Sequence, residues 1–188
     1  MSIQTRSTEG DGPADPSGHL LDTVRASYRS QRALAERALA QLEHGDWHAR
    51  LDPESNSIAI IVRHLAGNMR SRWTDLLTSD GEKPWRDRDG EFAVTDDDPK
   101  ALLASWHAGW DLTLATLDGL RPGDMERVVT IRGEPHSVAE ALVRQLAHYA
   151  QHVGQIVMLA KHLRGDAWRR LSLPTPRRGG SEPQPPPR

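Results

Sequence analysis

Cysteine is absent from these 188 residues. That absence excludes disulfides, thiolate metal ligands and a protein thiol nucleophile together. Any metal must be held by imidazole, carboxylate, amide or water, and any thiol chemistry must bring its thiol from outside. A charge excess is also lacking: 24 Lys and Arg face 26 Asp and Glu, for a formal net charge of −2. There is no electrostatic case for nucleic acid or an anionic membrane as partner. No apolar run approaches the roughly 18 residues of a membrane span. The polar start Met1-Ser-Ile-Gln-Thr-Arg has no signal-peptide core. The expectation is a soluble cytoplasmic protein acting on a small molecule, with neither nucleic acid nor membrane as partner. Aromatics are scarce, yet six are Trp against two Tyr and one Phe, which suggests a few large anchors in a core or cleft.

The length suits one domain plus tails. Residues 1–17 are rich in Gly, Ser, Pro and Asp, and 174–188 in Pro, Gly and Arg, so both are expected to be disordered. Between them, over 18–173, apolar residues recur at helical spacing. Leu20, Val24, Tyr28, Ala38 and Leu42 predict a first helix over 19–43, stopped by Gly45. Ile58, Ile61, Val62, Leu65, Met69 and Leu76 predict a second, from about Ser55–Ser57 to Thr78. A polar connection over 79–97 follows. Asp98 as cap and Pro99 as first helical residue open a third helix, and Gly119 ends it. Val128–His136 alternates around a Gly133-Glu134 turn and reads as a short hairpin or arm. Ser137-Val-Ala-Glu140 is a capping box for a fourth helix that should stop at Gly165. Trp168 and Leu171 are placed to fold back. Four helices with one apolar stripe each make an all-α four-helix bundle. The long connection is able to recross it, so that the second and third helices run parallel.

His148 and His152 stand four apart on the fourth helix, about 40° apart around its axis at 100° per residue. They flank the stripe of Leu142, Leu146, Tyr149, Val153, Ile156 and Ala160, with Gln145 and Gln155 beside them. Two such imidazoles can hold one metal ion. A third from another helix, with His64 the best candidate, would leave an open coordination position. His44 and His48 share the spacing, but Gly45 and Asp46 interrupt them at a helix end. On spacing alone, two surface histidines account for the His148 pair as plainly as a ligand pair does. His64 and Asn68 lie one turn apart at the edge of the second stripe, and Arg72 falls nearly inside it. An Arg72–Asp75 pair is one reading; an arginine that orients an anionic substrate group in a cleft is the other.

Longer strings carry a resemblance. Asp52-Pro-Glu-Ser-Asn-Ser-Ile-Ala-Ile-Ile-Val-Arg-His-Leu-Ala-Gly-Asn-Met69 resembles the DUF1572 branch of the DinB/YfiT-like putative metalloenzymes. So do Arg72-Trp-Thr-Asp75, Asp80-Gly-Glu-Lys-Pro-Trp-Arg86, Thr130-Ile-Arg-Gly-Glu-Pro-His136 and Gln145-Leu-Ala-His-Tyr-Ala-Gln-His-Val-Gly-Gln-Ile156. The likeness spans roughly residues 20–173. It implies a DinB/YfiT-type bundle of unusual handedness, frequent homodimerisation, and a divalent metal on His64, His148 and His152. Zinc is the first expectation, with nickel or another ion as the alternative. Enzymes among such relatives use low-molecular-weight thiols as nucleophiles, so an exogenous thiol such as bacillithiol, mycothiol or glutathione is implied. Asn68, Arg72, Gln145 and Gln155 are the expected substrate contacts. The functional expectation is a metal-dependent transferase joining that thiol to a small electrophile. The alternatives are a non-catalytic, stress-associated metal- or ligand-binding bundle and a metal-water hydrolase. No His-Glu-x-x-His motif supports a zincin. No Glu adjoins the His148 pair, though Glu140 or one from another segment is able to reach it.

Overall fold

The computed structural model describes residues 16–171. The tails expected over 1–17 and 174–188 lie outside these residues, except Pro16 and Ser17, which open the first helix. Four helices carry the fold: α1 (Pro16–Leu39), α2 (Ile58–Trp73), α3 (Pro99–Gly119) and α4 (Val138–Arg164). Two short strands, β1 (Val128–Ile131) and β2 (Glu134–Ser137), precede α4 as an antiparallel hairpin. No helix among the described residues is long and apolar enough to cross a membrane.

The helix starts follow local chemistry. The Ser57 hydroxyl accepts from the Ile60 N–H, Asp98 accepts from the Lys100 N–H ahead of Pro99, and Ser137 and Glu140 cap each other's backbone. Glu140 is thereby committed to the helix end and is not a base for the His148 pair. Gly165 (φ 47°) closes α4. Two ends come sooner than periodicity predicts. The backbone beyond α1 tightens, with Gln41 and Leu42 donating to carbonyls three residues back, so α1 stops at Leu39 rather than Glu43. The second helix ends at Trp73 rather than Thr78, because Asp75 takes a left-handed conformation (φ 51°) that Asp tolerates better than most. Leu76 is still buried, so its stripe position was read correctly for the wrong conformation. The hairpin turn is Arg132-Gly133, not Gly133-Glu134: Ile131 pairs with Glu134, and φ values of 57° and 75° at the two turn residues match the twist of the strands.

Side-chain pairs fix the helix directions. Arg25 bonds the Leu117 and Leu120 carbonyls while Arg32 pairs with Asp111, so α1 and α3 are antiparallel. Thr116 bonds the Trp73 carbonyl, and Gly109 abuts Ala66 and Met69, so α2 and α3 run parallel. The connection over 74–98 therefore recrosses the bundle. His64 meets His148 while Asn68 meets Gln145, so α2 and α4 are antiparallel.

One aromatic from each helix meets at the centre. Tyr28 packs edge-on against Trp73 (5.6 Å) and Tyr149 (5.8 Å), and Trp110 against Tyr149 (5.5 Å). Such contacts add about 0.5–1.5 kcal/mol each beyond burial. Tyr28 donates to the Leu142 carbonyl and Trp73 to the Tyr149 hydroxyl, which locks the rotation of α4. With Tyr149 inward, His148 and His152 face α2. Trp168 and Leu171 pack back against the core.

The α2–α3 contact is close because Gly109 has no side chain: a Cβ there would lie 3.2 Å from both Cβ and Cε of Met69. Gly109→Val is expected to destabilise the bundle by about 1–3 kcal/mol through overpacking, read as a lowered urea midpoint.

Candidate metal centre

His64 and Asn68 on α2 face His148, His152 and Gln145 on α4 across the antiparallel pair. Each of His64, His148 and His152 offers a ring nitrogen, and these lie within 4.8 Å of one another. His64 Nε2 is 3.2 Å from His148 Nε2. A tetrahedron with metal–nitrogen bonds of 2.0–2.1 Å has an edge of about 3.3 Å, so this spacing fits a shared ion. The tautomers fit as well. Glu91 Oε2, 2.9 Å from His64 Nδ1, can only accept, so Nδ1 carries the proton and the Nε2 lone pair faces the cluster. His152 Nδ1 donates to Gln155 Oε1 at 2.7 Å, with the same result for its Nε2. His148 Nδ1 is buried without a partner.

The electrostatics favour the neutral form of His148 and His152. Burial, then the His152 and His64 rings and the Arg86 and Arg72 charges, push the His148 imidazole down to about 3. Burial lowers His152 more than its bond to Gln155 raises it, and the His64 ring adds to the lowering. Neutral imidazoles are the form that binds metal. Burial alone would raise the Glu91 carboxyl, but bonds from His64 and Arg86 outweigh it and hold it below the usual range.

The recrossing segment supplies what the sequence reading missed. Arg86 grips both Glu91 oxygens at 2.7 Å, and its side chain is 2% exposed. Phe92 packs against His64 with ring centroids 4.7 Å apart and the planes tilted by 37°. A notch in α2 admits Glu91: a Cβ at Gly67 would lie 2.1 Å from Glu91 Oε1. A glycine inside an otherwise helical pattern is the one sequence signal of that approach. The segment is fastened at its other end by Asp80, whose carboxylate accepts from the backbone of Glu82, Arg132 and Gly133.

A cavity of about 360 Å³ opens over the triad, and Asn68, Arg72 and Gln145 line it. Asn68 Oδ1 accepts from Gln145 (2.7 Å) and Tyr149 (3.1 Å). Arg72 pairs loosely with Glu82 at 3.8 Å rather than with Asp75. Burial lowers the Arg72 guanidinium more than Glu82 restores it. Gln155 does not line this cavity. It orients His152 and borders a separate pocket with Leu51 and Met158. His44 and His48 sit in the α1–α2 connection, where His48 bonds the Asp97 carbonyl.

Fold and site together define a four-helix bundle with three clustered histidines beneath an arginine-lined cavity. The chain belongs to the DUF1572 family, described as a protein of unknown function, whose model matches residues 15–177. A crystal structure of a conserved protein from Enterococcus faecalis is similar at a TM-score of 0.50 and 18% identity, covering 81% of this chain and 97% of that one. That likeness concerns the fold alone. No curated protein matches the chain.

Backbone hydrogen bonds draw the Asp80 carboxyl down to about 2 against the raising effect of burial. Its folded pKa lies below its unfolded value, so its contribution is present above about pH 4 and lost as pH falls towards 2. The stability difference between wild type and Asp80→Asn should shrink across that window in denaturant titrations. A difference unchanged between pH 6 and 2 would remove Asp80 as the fastening group.

Proposed function

We propose that this bundle binds a divalent cation, zinc in the first instance, on His64, His148 and His152 and transfers an exogenous low-molecular-weight thiol to a small electrophile. The observation that carries the reading is the convergence of three imidazoles, two with Nδ1 committed elsewhere, on one point of a water-accessible cavity. The resemblance to DinB/YfiT-like proteins supports it. A bound cation would supply Lewis acidity, lowering the pKa of a thiol or water at its open position.

The chain's own groups then have distinct tasks. Glu91 and Gln155 hold His64 and His152 in the ligating tautomer. Asn68 and Gln145 offer amide groups to a ligand, and Phe92 shields one side of His64. The missing cysteine requires the thiol to come from outside. Hydrolysis is the weaker reading because, among the described residues, no carboxylate lines the cavity to act as base. Glu91, the nearest to the triad, is occupied by His64 and Arg86. A thiol that ionises near neutral pH when activated needs no such base. A homodimer in the cytoplasm completes the proposal, tested by light scattering and by locating the protein in fractionated cells.

The decisive assay incubates zinc-loaded, untagged protein with glutathione, bacillithiol or mycothiol and a chromogenic electrophile, beside esters without thiol. Turnover is expected to need both metal and thiol, and to vanish in His148→Ala/His152→Ala. Thiol-free ester turnover would make the protein a hydrolase, and metal binding without turnover a binding module. Glu91→Gln is expected to weaken zinc binding about 10–100-fold, the usual scale for losing a ligand's orienting partner. Gly67→Ala, which displaces Glu91, should weaken it in the same direction, as read by competition with a chromogenic chelator. Unchanged affinity in both would mean that Glu91 does not orient His64.

A further inference from the structure

Thiol activation leaves the arginines above the triad unused. Five of them line the cavity: Arg72, Arg86, Arg88, Arg132 and Arg144. Among the described residues only two carboxylates pair with this group. Glu82 is shared by Arg72, Arg86 and Arg132, and Glu91 is taken by Arg86. Five positive charges face two negative ones, an excess of three in one small space. Arg144 meets the imidazole of His136, and Arg88 lies 5.9 Å from the Phe92 ring centroid.

Arg72 is the anomaly. Its side chain is 4% exposed, its nearest carboxylate oxygen is 3.8 Å away, and Nε and Nη1 are buried without a partner. A buried guanidinium is costly unless hydrogen-bonded, and the usual solution is a bidentate carboxylate or phosphate. Arg86 has that solution in Glu91, whereas Arg72 does not. The fold makes room for the unpaired group, since a Cβ at Gly81 would lie 2.4 Å from Arg72 Nη1. The cavity is otherwise polar, with Phe92 its single apolar lining residue among the described residues.

We propose that the cavity is built for a small polar anion whose carboxylate or phosphate group is held by Arg72, with Arg132 of the hairpin turn and Arg144 of α4 completing the clamp. The clamp directs the rest of the molecule at the three histidines. This deepens the functional reading above and rests on it for what happens at the reactive end; the anion subsite itself needs no metal. It selects against uncharged apolar electrophiles and for anionic ones, or for an anionic thiol. The buried Arg72 supplies affinity, while the half-exposed Arg132 supplies steering.

The test is isothermal titration of chelator-treated, full-length protein at fixed ionic strength with succinate, inorganic phosphate and uncharged dimethyl succinate. Succinate or phosphate is expected to bind and the diester not to; whichever anion binds more tightly names the group. Arg72→Met should weaken that binding at least tenfold, and Arg132→Gln and Arg144→Gln severalfold. These two substitute exposed residues and carry the test if Arg72→Met does not fold. Chelator treatment keeps this measurement free of metal, so that failure of the metal reading leaves this one standing. The proposal is overturned if neither anion binds, or if binding is equal in wild type and the arginine variants.

Discussion

The buried pairing of Glu91 with Arg86 and His64 is the constraint on which the rest of the centre depends. It closes the recrossing segment onto α2, and it does so with charges removed from water. Breaking such a pair by removing one partner generally costs about 3–5 kcal/mol, because the other charge stays buried alone. Gly67 is the permissive element, for any side chain there would occupy the space of the carboxylate. One contact therefore sets the path of a long polar connection, the tautomer of His64 and the position of Phe92 over it.

A second consequence is electrostatic. The segment brings in both Glu82 and Glu91, but they are consumed by Arg86 and shared thinly with Arg72 and Arg132. The triad thus sits beside net positive charge, which adds to the burial that keeps His148 neutral, while one arginine stays unsatisfied. These are the same physical fact seen from two sides: protonating His148 among guanidinium groups is unfavourable, and bringing an anion among them is favourable. A site of this kind disfavours a proton on His148 while inviting a negatively charged partner.

Much of this was legible in the sequence. The apolar stripes and the capping residues Ser57, Asp98 and Ser137 located four helices, and the length of the connection allowed a parallel α2–α3 pair. His64, His148 and His152 stood at stripe edges, so packing the stripes brought the rings together. Arg72 was conspicuous as a charge in an apolar stripe, although its neighbour proved to be Glu82, 10 residues on, rather than Asp75. Arg86, Arg88, Glu91 and Phe92 were not legible as site residues. They occupy a stretch with no periodicity, where charges read as solvated, and only the tertiary path over α2 buries Glu91 and the Arg86 side chain and brings Arg88 and Phe92 to the cavity. Gln155 shows the opposite limit: spacing placed it next to His152, yet its side chain serves that ring and not the cavity.

The central claim is that three imidazoles hold one ion in an open site. X-ray absorption at the zinc edge of untagged, zinc-loaded protein tests it most directly. Nitrogen scatterers are expected at about 2.0–2.1 Å, with outer-shell features of three imidazole rings and a further light ligand. A spectrum unchanged in His148→Ala/His152→Ala, or a shell of oxygens without imidazole features, would contradict it.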